Sequence, residues 1–287
     1  MMARSRSPVA RAVSAAVLLL IVSTDATSDE RLMIVQPGYP GSTEEAKGFV
    51  DRLRLEIRSQ GGPVISVGSY HNREKSALAA AQVEKPTIGV VSLGFYLAHR
   101  KKLVLRPLLW SRPDEAYHIL VKKGTAKTLE DLKGQSITGT PLVESEFVRR
   151  LVLSDSSVSA VVKSWKTHPI RLFSKGVRDV RRGRKRAVLL SERELNGVKK
   201  LRSAAELEVI HTTSGFPTGV VVAFGNPSRD RIGQAIMSAL IGLESSDTGR
   251  DLLKTMGISG FTRIDARRLK AFEDAFDRVG PVDKDKE

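Results

Sequence analysis

The sequence predicts an α/β protein built as two Rossmann-like lobes, and three observations lead to that prediction. Short apolar runs typical of strands alternate with helical patterns along the chain. The 287 residues provide enough chain for two lobes of ordinary size, each with its own core. Apolar residues make up 41% and charged residues 28% of the chain, which are proportions typical of globular proteins.

The first part of the chain predicts a parallel, doubly wound sheet. Apolar runs place strands at residues 31–35, 64–67, 87–92, 103–110 and 116–121. Helical spacing of apolar residues predicts helices at 44–57 and 74–83, and a third helix that starts near Gly94. Ligands of such sheets bind at the carboxyl ends of the strands. Those ends are expected at 36–39, 68–71, 92–96 and 138–145.

A second unit is predicted to begin near Lys123. It has a short helix at 128–134 that ends at Gly134, and a strand at 135–139. Further elements are expected as a helix at 144–153 and strands at 171–173, 187–190 and 207–210. A strand at 220–224 then returns to the first unit, and helices follow at 229–243 and 249–256.

The N-terminus has the layout of a secretory signal peptide, which we place at residues 1–26. Arg4, Arg6 and Arg11 precede a twelve-residue apolar stretch, 12–23, and small residues follow it. The stretch is short for a membrane-spanning helix, although an uncleaved anchor is the alternative. The chain has no cysteine, which excludes disulfides, thiolate nucleophiles and a lipidated N-terminal cysteine. We therefore expect a soluble periplasmic protein.

Positive charge is concentrated in one segment. The formal net charge is +15, and loss of residues 1–26 removes three Arg and one Asp and leaves +13. Residues 171–202, the basic segment, contain twelve Lys or Arg and three acidic residues, a net of +9. This segment could be a solvated helix, or could dock on an acidic partner or on anionic lipid. Export and the lack of nearby aromatics for base stacking argue against nucleic acid as a partner.

The sequence shows no pattern typical of an enzyme. None of the five histidines belongs to an HExxH pair, and there is neither a GxSxG elbow nor a GxxxxGK[ST] loop. We therefore expect no catalytic residues, no cofactor and no metal.

Four stretches carry a resemblance to a known family. They are residues 69–72 (SYHN) with 88–96 (IGVVSLGFY), 117–124 (YHILVKKG) with 129–134 (LEDLKG), 216–217 (FP) with 220–222 (VVV), and 249–253 (GRDLL) with 256–261 (MGISGF). In this order and spacing they resemble the phosphate/phosphonate-type periplasmic receptors of ABC transporters, which have the type 2 periplasmic-binding-protein fold.

The resemblance implies two lobes joined by two crossover strands, near 115–121 and 217–223. Lobe one would comprise residues 29–116 and 222–287, and lobe two residues 117–221. A small-molecule ligand would bind in the cleft between the lobes of a monomer and close it by a hinge motion. The partner would be an ABC permease that imports the solute.

Eight residues are expected at the ligand. The resemblance implies Tyr70 and Tyr117, whereas Tyr39, Ser92 and Tyr96 follow from their positions at strand ends. The loop 139–147 matches the family's anion-binding loop and adds Thr140, Glu144 and Ser145.

That loop departs from the family pattern. Glu144 and Glu146 place carboxylates where the phosphoryl group would bind, and Val143 has no hydrogen-bonding side chain. Arg186 also stands where the family tends to have an aspartate. We therefore expect an altered ligand, with weak or absent binding of phosphate and simple phosphonates.

Two alternatives to an importer receptor remain at this point. The same lobes could present their ligand state to a membrane sensor, or the chain could be a non-binding scaffold that docks through its basic lobe.

Overall fold

The computed structural model describes residues 30–38, 41–154, 156–225 and 230–278. The predicted signal peptide lies outside these residues. The described strands are β1 (Glu30–Val35), β2 (Ile65–His71), β3 (Ile88–Ser92), β4 (Leu105–Arg112), β5 (Tyr117–Lys122), β6 (Ser136–Gly139), β7 (Lys166–Pro169), β8 (Ala187–Ser191), β9 (Leu207–Thr212), β10 (Gly219–Phe224) and β11 (Gly260–Arg263). The described α-helices are α1 (Thr43–Ser59), α2 (Glu74–Glu84), α3 (Leu93–His99), α4 (Ser145–Phe147), α5 (Ser156–Lys163), α6 (Phe173–Arg181), α7 (Glu192–Lys199), α8 (Asp230–Gly242), α9 (Asp247–Met256) and α10 (Ala266–Arg278).

These elements form two sheets, as the α/β prediction requires. The first has the strand order β11-β4-β10-β3-β1-β2 and the second the order β7-β6-β8-β5-β9. The first sheet is mixed rather than parallel: β1 runs parallel to β2 and β3, but β10 is antiparallel to β3 and β4. The expectation of a purely parallel sheet was wrong because β10 enters this sheet on return from the second.

The chain crosses between the sheets twice. It leaves the first sheet after Arg112 and returns to it before Gly219. The two crossing segments are joined by an antiparallel bridge between Glu115 and Phe216, whose backbone hydrogen bonds measure 2.8 and 3.0 Å. The exact lobe limits, predicted at 117 and 221, stay a prediction.

Strand β1 shows why the first sheet is buried on both faces. Leu32 and Ile34 pack with α1, α8 and α9, whereas Met33 and Val35 belong to a second apolar cluster that continues into the other lobe. All four side chains are at most 2% exposed. This alternation follows from the two-residue period of a strand.

Helix α10 connects the two lobes. The Tyr96 hydroxyl on α3 donates a 2.6 Å hydrogen bond to Glu273 of α10. From the other lobe, Arg150 donates to the Phe276 carbonyl at 2.8 Å and stacks over the Phe276 ring at 3.9 Å. These contacts hold the segment 141–152 against the first lobe.

One local prediction in the second lobe was wrong, and another was right about helical structure but not about its type. Residues 171–173 precede and begin helix α6, and the edge strand is instead β7, which pairs with β6. The expected helix at 144–153 is divided into a 3-10 turn at Pro141–Glu144, the short α4 and a π-helical turn at Val148–Val152.

Candidate functional site: the cleft between the two sheets

A cavity of about 390 Å³ lies between the two sheets. Both lobes contribute to its wall. The residues that line it are Gln36, Pro37, Gly38, Val90, Val91, Ser92, Ser111, Thr218, Gly219, Met256, Ile258 and Phe261 from the first lobe, and Glu115, Tyr117, Thr140, Pro141, Glu144, Phe147, Arg171, Leu172, Phe173, Ser191, Arg193 and Glu194 from the crossing segment and the second. Its size falls in the range of small-molecule sites, which runs from about 300 to 1,000 Å³.

One contact joins the two lobes within the cavity wall. We call the part of the wall around Ser92, Tyr117, Glu144 and Glu194 the floor of the cleft. Ser92 is the N-cap of α3, and its Oγ accepts the Phe95 N–H at 3.1 Å. The same hydroxyl donates to Oε1 of Glu144 in the other lobe, at 2.6 Å. Glycine at position 94 makes room for this carboxylate, because a Cβ there would lie 2.5 Å from Oε1. Glu144 thus packs against the first turn of α3.

The environment of Glu144 favours its neutral form. Desolvation raises the pKa of this carboxyl from 4.5 to about 7, and the negative charge of Glu74 adds to the effect. The hydrogen bonds from Ser92 and from the Phe95 amide act in the opposite direction and lower the pKa. None of the groups that shift this pKa is a cation. The carboxyl therefore titrates near neutral pH.

The phenol of Tyr117 lies among carboxylates. Its ring contacts Phe147 and Phe216, with centroids 6.2 and 6.3 Å away. Desolvation raises the Tyr117 pKa well above its ordinary value, and the charges of three carboxylates, Glu115, Glu144 and Glu194, raise it further. Three separate segments of the chain therefore bring negative charge to one phenol.

Glu194 is fixed by the start of helix α7. It forms a capping box with Ser191, whose N–H donates to Glu194 Oε2 at 3.0 Å. The Thr140 hydroxyl donates to its other oxygen. Desolvation raises the pKa of Glu194, against the hydrogen bonds from Thr140 and Ser191 and the nearby charge of Arg193.

Two arginines also line the cavity. Arg171 is exposed to solvent. The Arg193 guanidinium lies against Gly257 at the C-terminal end of α9, where a Cβ on the glycine would overlap it. Desolvation lowers the pKa of Arg193.

The structure brings four of the eight predicted residues to the cleft. These are Ser92, Tyr117, Thr140 and Glu144.

Three of the other four lie outside the cleft wall, and the fourth is not among the described residues. Tyr70 and Tyr96 are 6% and 2% exposed in the apolar clusters on the two faces of the first sheet. Ser145 is not part of the cleft wall, and Tyr39 lies outside the described residues. Of the two carboxylates predicted at the anion loop, only Glu144 faces the cleft, since Glu146 pairs with Arg150 at 3.6 Å.

Sequence reasoning missed Glu115 and Glu194. Glu194 carries a visible signal, because Ser191 and Glu194 have capping-box spacing directly after the apolar run 187–190. That signal predicts a helix start at a strand end, which is where ligands bind in α/β folds. Glu115 has no comparable signal, since it lies in a crossing segment whose position depends on both lobes.

Comparison with known proteins identifies the family of this chain. The family model for the phosphonate periplasmic substrate-binding protein of ABC transporters matches residues 87–269, more than half of the chain. The chain belongs to this family. Its members are receptors that bind small molecules and dock on an ABC permease. No curated protein sequence is significantly similar to this family member.

Solved structures with the same architecture agree with this assignment of the fold. XAC2383 from Xanthomonas citri, solved bound to ATP, is 15% identical with a TM-score of 0.66, over 87% of this chain and 98% of that one. PhnD1 from Prochlorococcus marinus, solved with methylphosphonate, is 13% identical with a TM-score of 0.63, over 87% and 98% of the two chains. The predicted type 2 periplasmic-binding-protein fold is confirmed.

Two features are missing from the described part of this family member. No helix there is long and apolar enough to cross a membrane. Among the same residues, no group of three or more His, Asp or Glu side chains is placed to hold a metal ion.

Proposed function

We propose that this chain is an exported receptor that captures a small solute in the cleft and delivers it to an ABC importer, and that its solute is not a phosphonate. Membership of the family supports the receptor role, and the cleft has the size of a small-molecule site. Both lobes contribute to the wall, so a ligand there can bias the lobes toward a closed state that a permease reads.

The 2.6 Å contact between Glu144 and Ser92 carries the ligand part of the proposal. A phosphonate in the floor of the cleft would lie beside this carboxylate. Two like unit charges about 4 Å apart repel by about 4 kcal/mol at an effective dielectric constant near 20. A dianion doubles that cost for the ionised carboxylate. Because the Glu144 pKa is about 7, the exclusion of a phosphonate should be stronger at pH 8 than at pH 6.

Titration calorimetry tests this proposal on the chain without residues 1–26. Methylphosphonate and inorganic phosphate are the probes, and we expect neither to bind in the micromolar range. The Glu144→Gln variant is the matched comparison, because it keeps the shape of the side chain and an acceptor for Ser92 while it removes the charge. Micromolar binding of methylphosphonate by the wild-type protein would refute the ligand part of the proposal.

Lobe closure tests the receptor role separately. Small-angle scattering should show a smaller radius of gyration when a solute from a broad panel binds. Co-purification with a permease supports import, whereas association with a membrane kinase or cyclase supports the sensory alternative.

A second candidate function rests on the basic segment. A cavity of about 270 Å³ in the second lobe has Lys122, Arg184, Lys185 and Arg186 in its wall. This surface favours docking on an anionic lipid surface or an acidic partner. Arg182, Arg184 and Lys185 replaced together by Ser should reduce sedimentation with vesicles that contain phosphatidylserine. Unchanged sedimentation would favour the solvated-helix interpretation.

A further inference from the structure

The negative charges of the cleft floor are only partly balanced: the positive charge of Arg193 acts on Glu194, whereas none of the described cations acts on Glu144. Glu115, Glu144 and Glu194 all act on the phenol of Tyr117. Within the part of the chain that the structure describes, no lysine or arginine forms an ion pair with Glu144. Carboxylates that are removed from water are normally paired with a cation or coordinate a metal.

We infer that the solute carries a cationic head group, an ammonium or a guanidinium, on an apolar body, and that the head group binds between Glu144, Glu194 and Tyr117. This inference rests on the receptor function proposed above and specifies its ligand class. A head group in this position would place its positive charge near the carboxylates of Glu115, Glu144 and Glu194, which come from three segments of the chain.

One cation of the wall acts on Glu194 but not on Glu144, since the positive charge of Arg193 lowers the pKa of Glu194. Arg193 lies against Gly257 at the end of α9, and Arg171 is exposed to solvent. Neither shifts the pKa of Glu144. Among the described residues only Glu144 of these two floor carboxylates has no cation acting on it, so we expect the solute to provide a positive charge there.

Aromatic and aliphatic side chains form the rest of the wall. Tyr117, Phe147 and Phe216 contact one another, with ring centroids 6.2 to 6.3 Å apart. Tyr117 and Phe147 face the cavity, where ring faces attract a cation. Leu172 and Phe261 line the cavity from opposite lobes and provide contact for an apolar body.

Binding of the cation should be coupled to the release of a proton from Glu144. The groups that act on it are Ser92 and the Phe95 amide of α3, and Glu74 of α2. Glu144 in turn acts on Tyr117 of β5. Because its pKa is about 7, a cationic solute that requires the ionised carboxylate must displace a proton at neutral pH. Affinity should then fall about tenfold between pH 8 and pH 6.

Two probes that differ only in the head group test the inference. Benzylamine and benzylphosphonate share one apolar body, and hexylamine and hexylphosphonate provide a second pair. Calorimetry at pH 8 and pH 6 should show binding of at least one amine and of neither phosphonate. At pH 7, the heat of amine binding should depend on the ionisation enthalpy of the buffer, because a proton is released.

Variants of one loop separate the head-group site from general effects. Glu144→Gln should weaken the amine at least tenfold and reduce the dependence on pH and buffer, to which Glu194 also contributes because its pKa is raised. Glu146→Gln is the matched control, since it removes a carboxylate two residues away that lies outside the cleft wall and pairs with Arg150. Circular dichroism checks that both variants fold.

The outcomes distinguish the ligand class from the receptor function. Binding of a phosphonate but of no amine overturns the inference of a cationic head group and leaves the receptor function standing. Binding of no amine at millimolar concentration also overturns it, and so does an amine affinity that Glu144→Gln leaves unchanged. The receptor function itself fails only if no solute of any charge in the broad panel closes the lobes in scattering experiments.

Discussion

The Glu144→Gln substitution should make the protein more stable at alkaline pH, and the structure gives the size of the effect. The wild-type carboxyl has a pKa of about 7 in the folded protein against an ordinary value of 4.5. Each pKa unit corresponds to about 1.4 kcal/mol, so ionisation of Glu144 costs the folded state about 3 kcal/mol at high pH. Glutamine keeps the acceptor oxygen for Ser92 and for the Phe95 amide but carries no charge.

The sign follows from where the proton is held. Between pH 4.5 and about pH 7 the folded protein retains a proton that the unfolded chain has lost. The contribution of Glu144 to the free energy of unfolding therefore falls as pH rises through this window and is constant above it. Relative to wild type, the variant should gain about 2 to 3 kcal/mol in free energy of unfolding between pH 5 and pH 8.

Urea unfolding at pH 5, 6, 7 and 8 measures this difference. The comparison of two proteins is essential because His71 acts in the opposite direction. Burial lowers the pKa of His71, so its contribution to stability is lost as pH falls through that range. His71 is present in both proteins and cancels in the difference. Parallel profiles for wild type and variant would refute the desolvation of Glu144 in the cleft.

Three single substitutions and one double variant test the surroundings of the cleft. Tyr96→Phe removes the 2.6 Å hydrogen bond to Glu273 and should lower the free energy of unfolding by about 1 to 2 kcal/mol in urea titrations; an unchanged midpoint would show that this bond does not hold α10. Gly94→Ala places a Cβ 2.5 Å from the Glu144 carboxylate, so it should cost about 1 to 3 kcal/mol and enlarge the radius of gyration. Glu144→Ala in the same chain should reverse part of that loss, and no reversal would contradict the contact. Tyr117→Phe should change the stability of the ligand-free protein by less than about 0.5 kcal/mol, because the phenol donates to no described residue. The same variant should weaken amine binding in calorimetry, and an unaffected affinity would place the head group elsewhere.

Elements with a clear apolar pattern and a clear end signal could be predicted from the sequence. The buried runs of β3 and β8 are short, apolar and bounded by turn or cap residues. Helix α9 ends where Gly257 was expected to end it, and that glycine adopts φ +72°.

Elements whose existence depends on distant partners could not be predicted. Strand β7 has the sequence KTHP and is largely exposed, so it shows no apolar period and exists because it pairs with β6. The antiparallel direction of β10 is set by the path of the chain between lobes, which no local pattern encodes.

The residues of the candidate site likewise include some that could be predicted from the sequence and some that could not. Ser92 could be placed from the sequence because it ends an apolar run and can cap the next helix. The different roles of Glu144 and Glu146 could not, because they depend on how the turn at Pro141–Glu144 and α4 rotate successive side chains. One carboxylate reaches Ser92 in the other lobe and the other pairs with Arg150.

The electrostatics of the cleft and of the surface have to be considered separately. A formal charge of +15 suggests an anionic ligand if it is applied to the whole molecule. Exposed charges are screened beyond a Debye length of about 8 Å, whereas desolvated groups in a cleft are screened much less. The head group of a bound solute therefore responds to the groups of the cavity wall, such as Glu144, Glu194 and Tyr117, more than to those arginines of the basic segment that lie outside the wall, such as Arg182 and Arg184. A positively charged surface and a cleft that binds a cation are compatible in one chain. The surface charge affects association with partners, whereas the floor of the cleft determines which solute binds with high affinity.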